Sequence, residues 1–208
     1  CGITACESVS RAAAQGIDII VTDHHEPHDT LPGAVAVLNP KLDDYPDPNL
    51  AGVGVALKLA QALVRDFSLD ECVWGEYLDM AALGTAADIV PLTGENRTIV
   101  KLGFDVLSAT TNPGLQALLA QQDLSGKKLQ TREVVFQVAP CINAAGRLGT
   151  PQRGVDLLLT DDHEAAKQYA GELVEVNRER RLLDAKVREE AIEWVIANCS
   201  PEDDYGIV

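Results

Sequence analysis

The sequence predicts an α/β protein: a parallel sheet near its start, then helical segments, then one long connecting helix. Three observations carry this. Residues 17–22, Ile-Asp-Ile-Ile-Val-Thr, form a β-branched run between Gly16 and a polar cluster, which reads as a buried parallel strand. The Ala-rich stretch 6–15 before it stops at Gly16 as a helix does. Between positions 163 and 198 there is no Pro and the only Gly is Gly171. There Ala166, Tyr169, Leu173, Val176, Leu183, Val187 and Trp194 recur at helical spacing, as one long helix or two nearly collinear ones.

The other elements follow in order. A helix that feeds a parallel strand is normally preceded by a strand, which is expected before residue 1. A second strand is expected over 34–38, closed by Asn39-Pro40 and a loop carrying Asp43, Asp44, Pro46, Asp47 and Pro48. Apolar residues at helical spacing predict a helix over 54–67, the lack of strand alternation a second over 78–87, and a third is expected over 95–108. Pro113-Gly114 punctuates before more helix, and the polar stretch 123–130 reads as an exposed connection. A periodic pattern as long as 163–198 exceeds an ordinary globular helix and predicts a bridge to another module. The closing Asp-Tyr-Gly-Ile-Val reads as the first residues of a strand.

Composition narrows the function classes. In 208 residues, 17 Lys and Arg face 32 Asp and Glu, a formal charge of −15. That excludes a broad polyanion-binding face, so any basic patch must be small and local, while carboxylates are plentiful for cations. At 46% hydrophobic and 24% charged, the chain is a folding sequence rather than a disordered one. No apolar run approaches the roughly 18 residues of a membrane span, so a soluble protein is expected. Five scattered cysteines with no C-x-x-C point to a reducing, cytoplasmic setting. The only methionine is Met80 and the chain opens on Cys1-Gly2, so a processed chain or a fragment is expected.

Four stretches can carry chemistry. Asp23, His24 and His25 directly follow the first strand, where open α/β sheets bind ligands. Imidazoles with a carboxylate suit Mn, Fe or Zn; the alternative is a polar strand-end loop. His28, beyond Pro27, reads as a surface residue. Asp88, between Gly84-Thr85-Ala86-Ala87 and Ile89-Val90-Pro91, is poorly solvated unless it meets a cation or donors, or else it caps a proline turn. Asn143 and Arg147 lie in a small-residue stretch whose Arg suits a phosphate, though a helix ending at Gly146 with a surface Arg is an equal reading. Gly52 and Gly54 read as glycines for tight helix packing.

These residues resemble a known family. Thr22-Asp23-His24-His25-Glu26 is similar to the signature of the DHH phosphoesterases, and 84–92 resembles their fourth motif with its metal-binding Asp. Stretches 50–59 and 142–148 are similar to the RecJ branch, exonucleases specific for single-stranded DNA. The resemblance implies a two-metal phosphodiesterase, usually using Mn²⁺ with Mg²⁺ possible, that removes nucleotides from a 5′ end. It implies His24 and Asp88 as metal ligands, His25 as the histidine facing the phosphate and Asp23 as the acid supporting the site. Arg147 and Asn143 become substrate contacts. It also implies a partial DHH domain over 1–160, a connector helix over 161–199 and the start of a C-terminal DHHA1-like domain over 200–208. Single-stranded DNA would be held mainly by absent domains, with no membrane partner.

The departures are equally specific. The family's first motif, Asp-x-Asp, is absent, the second motif's Asp would immediately precede Cys1, and Cys141 stands where the family has Arg. A RecJ-type parent whose 208-residue piece is inactive alone is therefore expected. The alternatives are a pyrophosphatase or small-nucleotide phosphatase of the same superfamily, and a non-catalytic scaffold.

Overall fold

The computed structural model describes residues 2–199 except 43, 71 and 148–150, together with the backbone but not the side chain of Arg147. The strand start expected at 204–208 lies outside the described residues. The chain forms two compact units, one of residues 1–111 with 124–139, the other of 112–123 with 140–208.

In the first unit a short 3-10 turn (Gly2–Thr4) leads into α1 (Cys6–Ala13). Gly16, at φ +74°, turns the chain toward β1 (Ile20–Thr22), a conformation that costs glycine little. β1 pairs in parallel with β2 (Ala36–Leu38), Val21 opposite Val37, so the parallel α/β expectation holds. The first strand is shorter than the β-branched run, and it is not buried on both faces. Val21 is buried while Ile17 and Ile20 are more than half exposed. The pleat explains this: alternate residues face opposite sides, and the described two-stranded sheet is packed on one side only.

Four helices follow: α2 (Gly52–Asp66), the one-turn α3 (Cys72–Gly75), α4 (Leu78–Ala87) and α5 (Gly94–Ser108). α4 is the centre of the packing. Ala81, Ala82, Leu83 and Ala86 are buried, and Gly103 of α5 sits against Ala82 and the Leu78 carbonyl, where a side chain would not fit. Small residues let the two helix backbones approach closely. Asp79 is also buried, and it accepts a 2.5 Å hydrogen bond from Thr110 Oγ1, which satisfies it inside the core. The stretch 123–130 is the exposed connection expected, with two of its residues turned into the core. Leu124 and Leu129 are buried, and the Leu129 N–H donates to Ser108 Oγ. A capping box between Gln130 and Glu133 starts α7 (Thr131–Glu133), which passes into a π-helical segment (Val134–Val138).

The second unit contains α6 (Pro113–Gln121), all but the first residue of α8 (Ala139–Arg147), α9 (Pro151–Leu159) and α10 (His163–Asn198). Asn112 caps α6 through Leu115 N–H, with Pro113 in the first turn, and its amide donates to the Leu158 carbonyl. Asp162 caps α10 in the same way through Glu164 and Ala165. α10 is one continuous helix of 36 residues, about 54 Å long. Ala166, Ala170, Leu173 and Asn177 bury its first half, whereas Leu183, Val187 and Trp194 of the second half are exposed. The helical period is thus continuous, but only its first half is packed. No helix among the described residues is long and apolar enough to cross a membrane.

Candidate metal centre

The site grows from the end of β1. The Asp23 N–H donates to the Leu38 carbonyl, extending the ladder by one step and burying Asp23 to 5% exposure. Its Oδ1 accepts from the backbone N–H groups of His24 (2.7 Å) and His25 (3.1 Å) and from His25 Nδ1 (2.6 Å), and its Oδ2 accepts from Ile3 N–H (2.7 Å). Burial pushes the Asp23 carboxyl up, but these donors outweigh it: Ile3 first, then the His25 ring and the two backbone amides. The carboxyl is held well below the usual carboxylate range. Asp23, His24 and His25 offer donor atoms within 4.8 Å of one another, yet both Asp23 oxygens are already engaged. Asp23 is thereby an organiser of the loop.

An ionised carboxylate only accepts hydrogen bonds, so the His25 hydrogen sits on Nδ1 and Nε2 is left outward on a ring 54% exposed. Asn39 Nδ2 donates to the His25 carbonyl and locks the loop from the β2 side. The His24 ring lies 4.4 Å from that of His25, tilted by 56°. It turns the other way, placing Nε2 3.3 Å from Asp88 Oδ2, with the two side chains 17% and 36% exposed. A neutral imidazole nitrogen beside a carboxylate oxygen is a donor pair that fits a Mn²⁺-type ion.

Local packing delivers Asp88. It ends α4, and Gly84 one turn earlier lies against Val53, where an added Cβ would come within 2.9 Å of Val53 Cγ1. Gly52 at the start of α2 faces the His24 ring, and a Cβ there would stand 3.1 Å from Cδ2 and 3.6 Å from Nε2. The glycine pair therefore divides. Gly54 packs on Leu50 and Ile99 as expected, whereas Gly52 makes room for a site histidine. Buried Asn96 ties these loops together, accepting from Ala51 N–H (3.1 Å) and donating to the carbonyls of Asn49 (2.7 Å) and Pro91 (3.1 Å).

After Asp88 the chain takes an unfavourable turn. Ile89 has φ +57° and is 97% exposed. The other described non-glycine residues at positive φ are Asp44, Ser68 and Asp123, all small and polar. A β-branched residue in this region is strained by about 1–3 kcal/mol, and no packing of its own offsets the cost.

The remaining candidates are not all in this cluster. His28 is exposed, as expected. Asn143 is an exposed residue of α8 in the second unit, and the Arg147 side chain lies outside the described residues. Cys141 is fully buried, with Sγ accepting from Asn177 and Gln122, and burial pushes its thiol pKa up. Sequence reasoning missed Ile3, Asn39, Gly52 and Asn96. The first acts through its backbone, Gly52 was read as packing, and an isolated Asn carries no periodic signal.

Residues 1–85 match the DHH family, N-terminal domain. The chain is 41% identical over 196 residues to the single-stranded-DNA-specific exonuclease RecJ of Bacillus subtilis (strain 168), which covers 93% of this chain and 24% of that protein. The RecJ of Escherichia coli (strain K12) is 40% identical over 204 residues, 92% of this chain and 35% of the relative. The chain thus spans only between a quarter and about a third of these relatives' length. Among solved structures, RecJ from Thermus thermophilus in complex with Mn²⁺ matches with a TM-score of 0.83 at 37% identity, covering 97% of this chain and 30% of that one. An exonuclease RecJ bound to manganese matches with a TM-score of 0.82 at 39% identity, covering 91% and 48%. The signature loop built around Asp23 thus lies in the stretch that matches the DHH family's N-terminal domain, and the likeness to RecJ runs through both units.

Proposed function

We propose that the protein carrying this chain is a RecJ-type exonuclease that hydrolyses single-stranded DNA from its 5′ end with Mn²⁺, in DNA repair and recombination in the cytoplasm. The observation that carries the reading is the convergence of His24 Nε2 and Asp88 Oδ2 at 3.3 Å, beside a second histidine whose Nε2 is aimed outward by Asp23.

In this reading His24 and Asp88 hold metal. Cations held there would supply Lewis acidity to activate a water near neutral pH and charge to stabilise the displacement at phosphorus. The chain's own residues do the rest. Asp23 keeps the His25 hydrogen on Nδ1, so Nε2 addresses a phosphate oxygen, accepting from a protonated oxygen or, as imidazolium, donating to a charged one. Gly52 and Asn96 keep the His24 ring and the Asp88 turn in register. Asn143 and Arg147 are proposed as substrate contacts, the guanidinium suiting backbone phosphate. Two metal ligands among the described residues are too few for a two-metal site, and no Asp-x-Asp occurs in the 208 residues. The chain alone is therefore proposed to be inactive.

The test is nuclease activity on 5′-phosphorylated single-stranded DNA with Mn²⁺. The full-length protein is expected to release mononucleotides, and the 208-residue chain none. Hydrolysis of pyrophosphate but not DNA by the full-length protein would replace the reading with a pyrophosphatase. Digestion by the isolated chain would overturn its second half.

A further inference from the structure

Ile89 is where the fold accepts a cost without a visible return. Its backbone is in the left-handed region that glycine and asparagine ordinarily fill at a helix end, and its side chain stands almost wholly in water. It directly follows Asp88, whose carboxylate faces His24 Nε2. Among the described residues stability does not call for this residue, because a glycine would relax the turn and no packing there would be lost. Solubility does not call for it either.

What an exposed branched alkyl group does offer is an apolar face beside a metal-binding carboxylate. Cations and bare phosphate gain nothing from such a face, but the sugar and base attached to a phosphate do. Resting on the exonuclease reading, we propose that Ile89 is a specificity-determining residue, the apolar wall against which the sugar or base of the nucleotide at the His24–Asp88 pair packs. The residue then favours nucleotide esters over inorganic phosphate or pyrophosphate at the same centre. Its strained turn fixes the backbone that carries the side chain before the ligand arrives, so little ordering remains to be done on binding.

The experiment uses the full-length protein with Mn²⁺ and two probes, a 5′-phosphorylated oligo(dT) with phosphorothioate linkages and inorganic phosphate. Ile89→Gly is expected to weaken oligonucleotide binding about tenfold, the effect of losing one buried aliphatic contact. Mn²⁺ and phosphate affinity should stay within about twofold, Ile89→Val should bind almost as the wild type does, and the unliganded protein should melt no lower. Unchanged oligonucleotide affinity would overturn the inference. So would equal losses for oligonucleotide and phosphate, which would mean that Ile89 acts through Asp88, or a clear drop in melting temperature, which would mean that another segment covers it. If the wild-type protein neither binds this oligonucleotide nor cuts unmodified single-stranded DNA, the exonuclease reading fails as well; if it cuts DNA and Ile89→Gly is silent, this inference alone fails.

Discussion

The two carboxylates of the candidate centre are built in opposite ways. Asp23 is buried and accepts four hydrogen bonds, from Ile3, from both histidine amides and from the His25 ring. Asp88 is partly exposed, faces a single histidine and is followed by a strained, exposed isoleucine. One acid is committed to the fold and the other is left available. The difference separates a positioning acid from the acid proposed to bind metal more sharply than residue type does, because a carboxylate that already accepts four hydrogen bonds has little left to offer a cation.

The contrast breaks first at Asp23. Asp23→Ala leaves the Ile3, His24 and His25 amides without an acceptor, and equilibrium unfolding in urea is expected to show a loss of about 3–5 kcal/mol. Asp88→Asn removes no comparable network, and the same measurement should move by less than about 1 kcal/mol. Similar losses for both would erase the distinction.

Acid titration sharpens it. The folded Asp23 carboxyl is depressed below its unfolded value, so its contribution is fully present above the ordinary carboxylate pKa of about 3.9 and is lost as the pH falls toward the folded value. Stability followed from pH 6 to pH 2 should decline along this limb, and Asp23→Asn should flatten it at a lower starting stability. An unchanged acid limb in the variant would show that other carboxylates dominate there.

A smaller effect is expected at Gly52, where an added methyl crowds the His24 ring. Gly52→Ala should cost no more than about 1 kcal/mol of stability. It should nonetheless weaken Mn²⁺ binding by about tenfold, because the nitrogen proposed to bind is displaced by a few tenths of an ångström. Stability loss without weaker metal binding would return Gly52 to the role of a packing residue.

These residues also show what a sequence makes legible. Helices over 78–87 and 163–198 were readable because the first shows no strand alternation and the second keeps a helical spacing without a Pro, broken only at Arg180 and Glu190. The Asp-His-His cluster was readable because three ionisable residues at a strand end have few structural uses. The sheet was overread: a β-branched run looks the same whether one face or both are covered, and Ile20 proves exposed. Asn96 was invisible because two of the three backbone groups it holds are distant in sequence, and the conformation of Ile89 because nothing in Asp-Ile-Val-Pro announces a positive φ.

The most direct test of the division of labour is Mn²⁺ titration calorimetry on the full-length protein and its Asp88→Asn variant, with urea midpoints measured in parallel. The account predicts that Asp88→Asn weakens Mn²⁺ binding by more than about tenfold at an essentially unchanged midpoint. Unchanged Mn²⁺ affinity in that variant would contradict the assignment of Asp88 as the available acid of the centre.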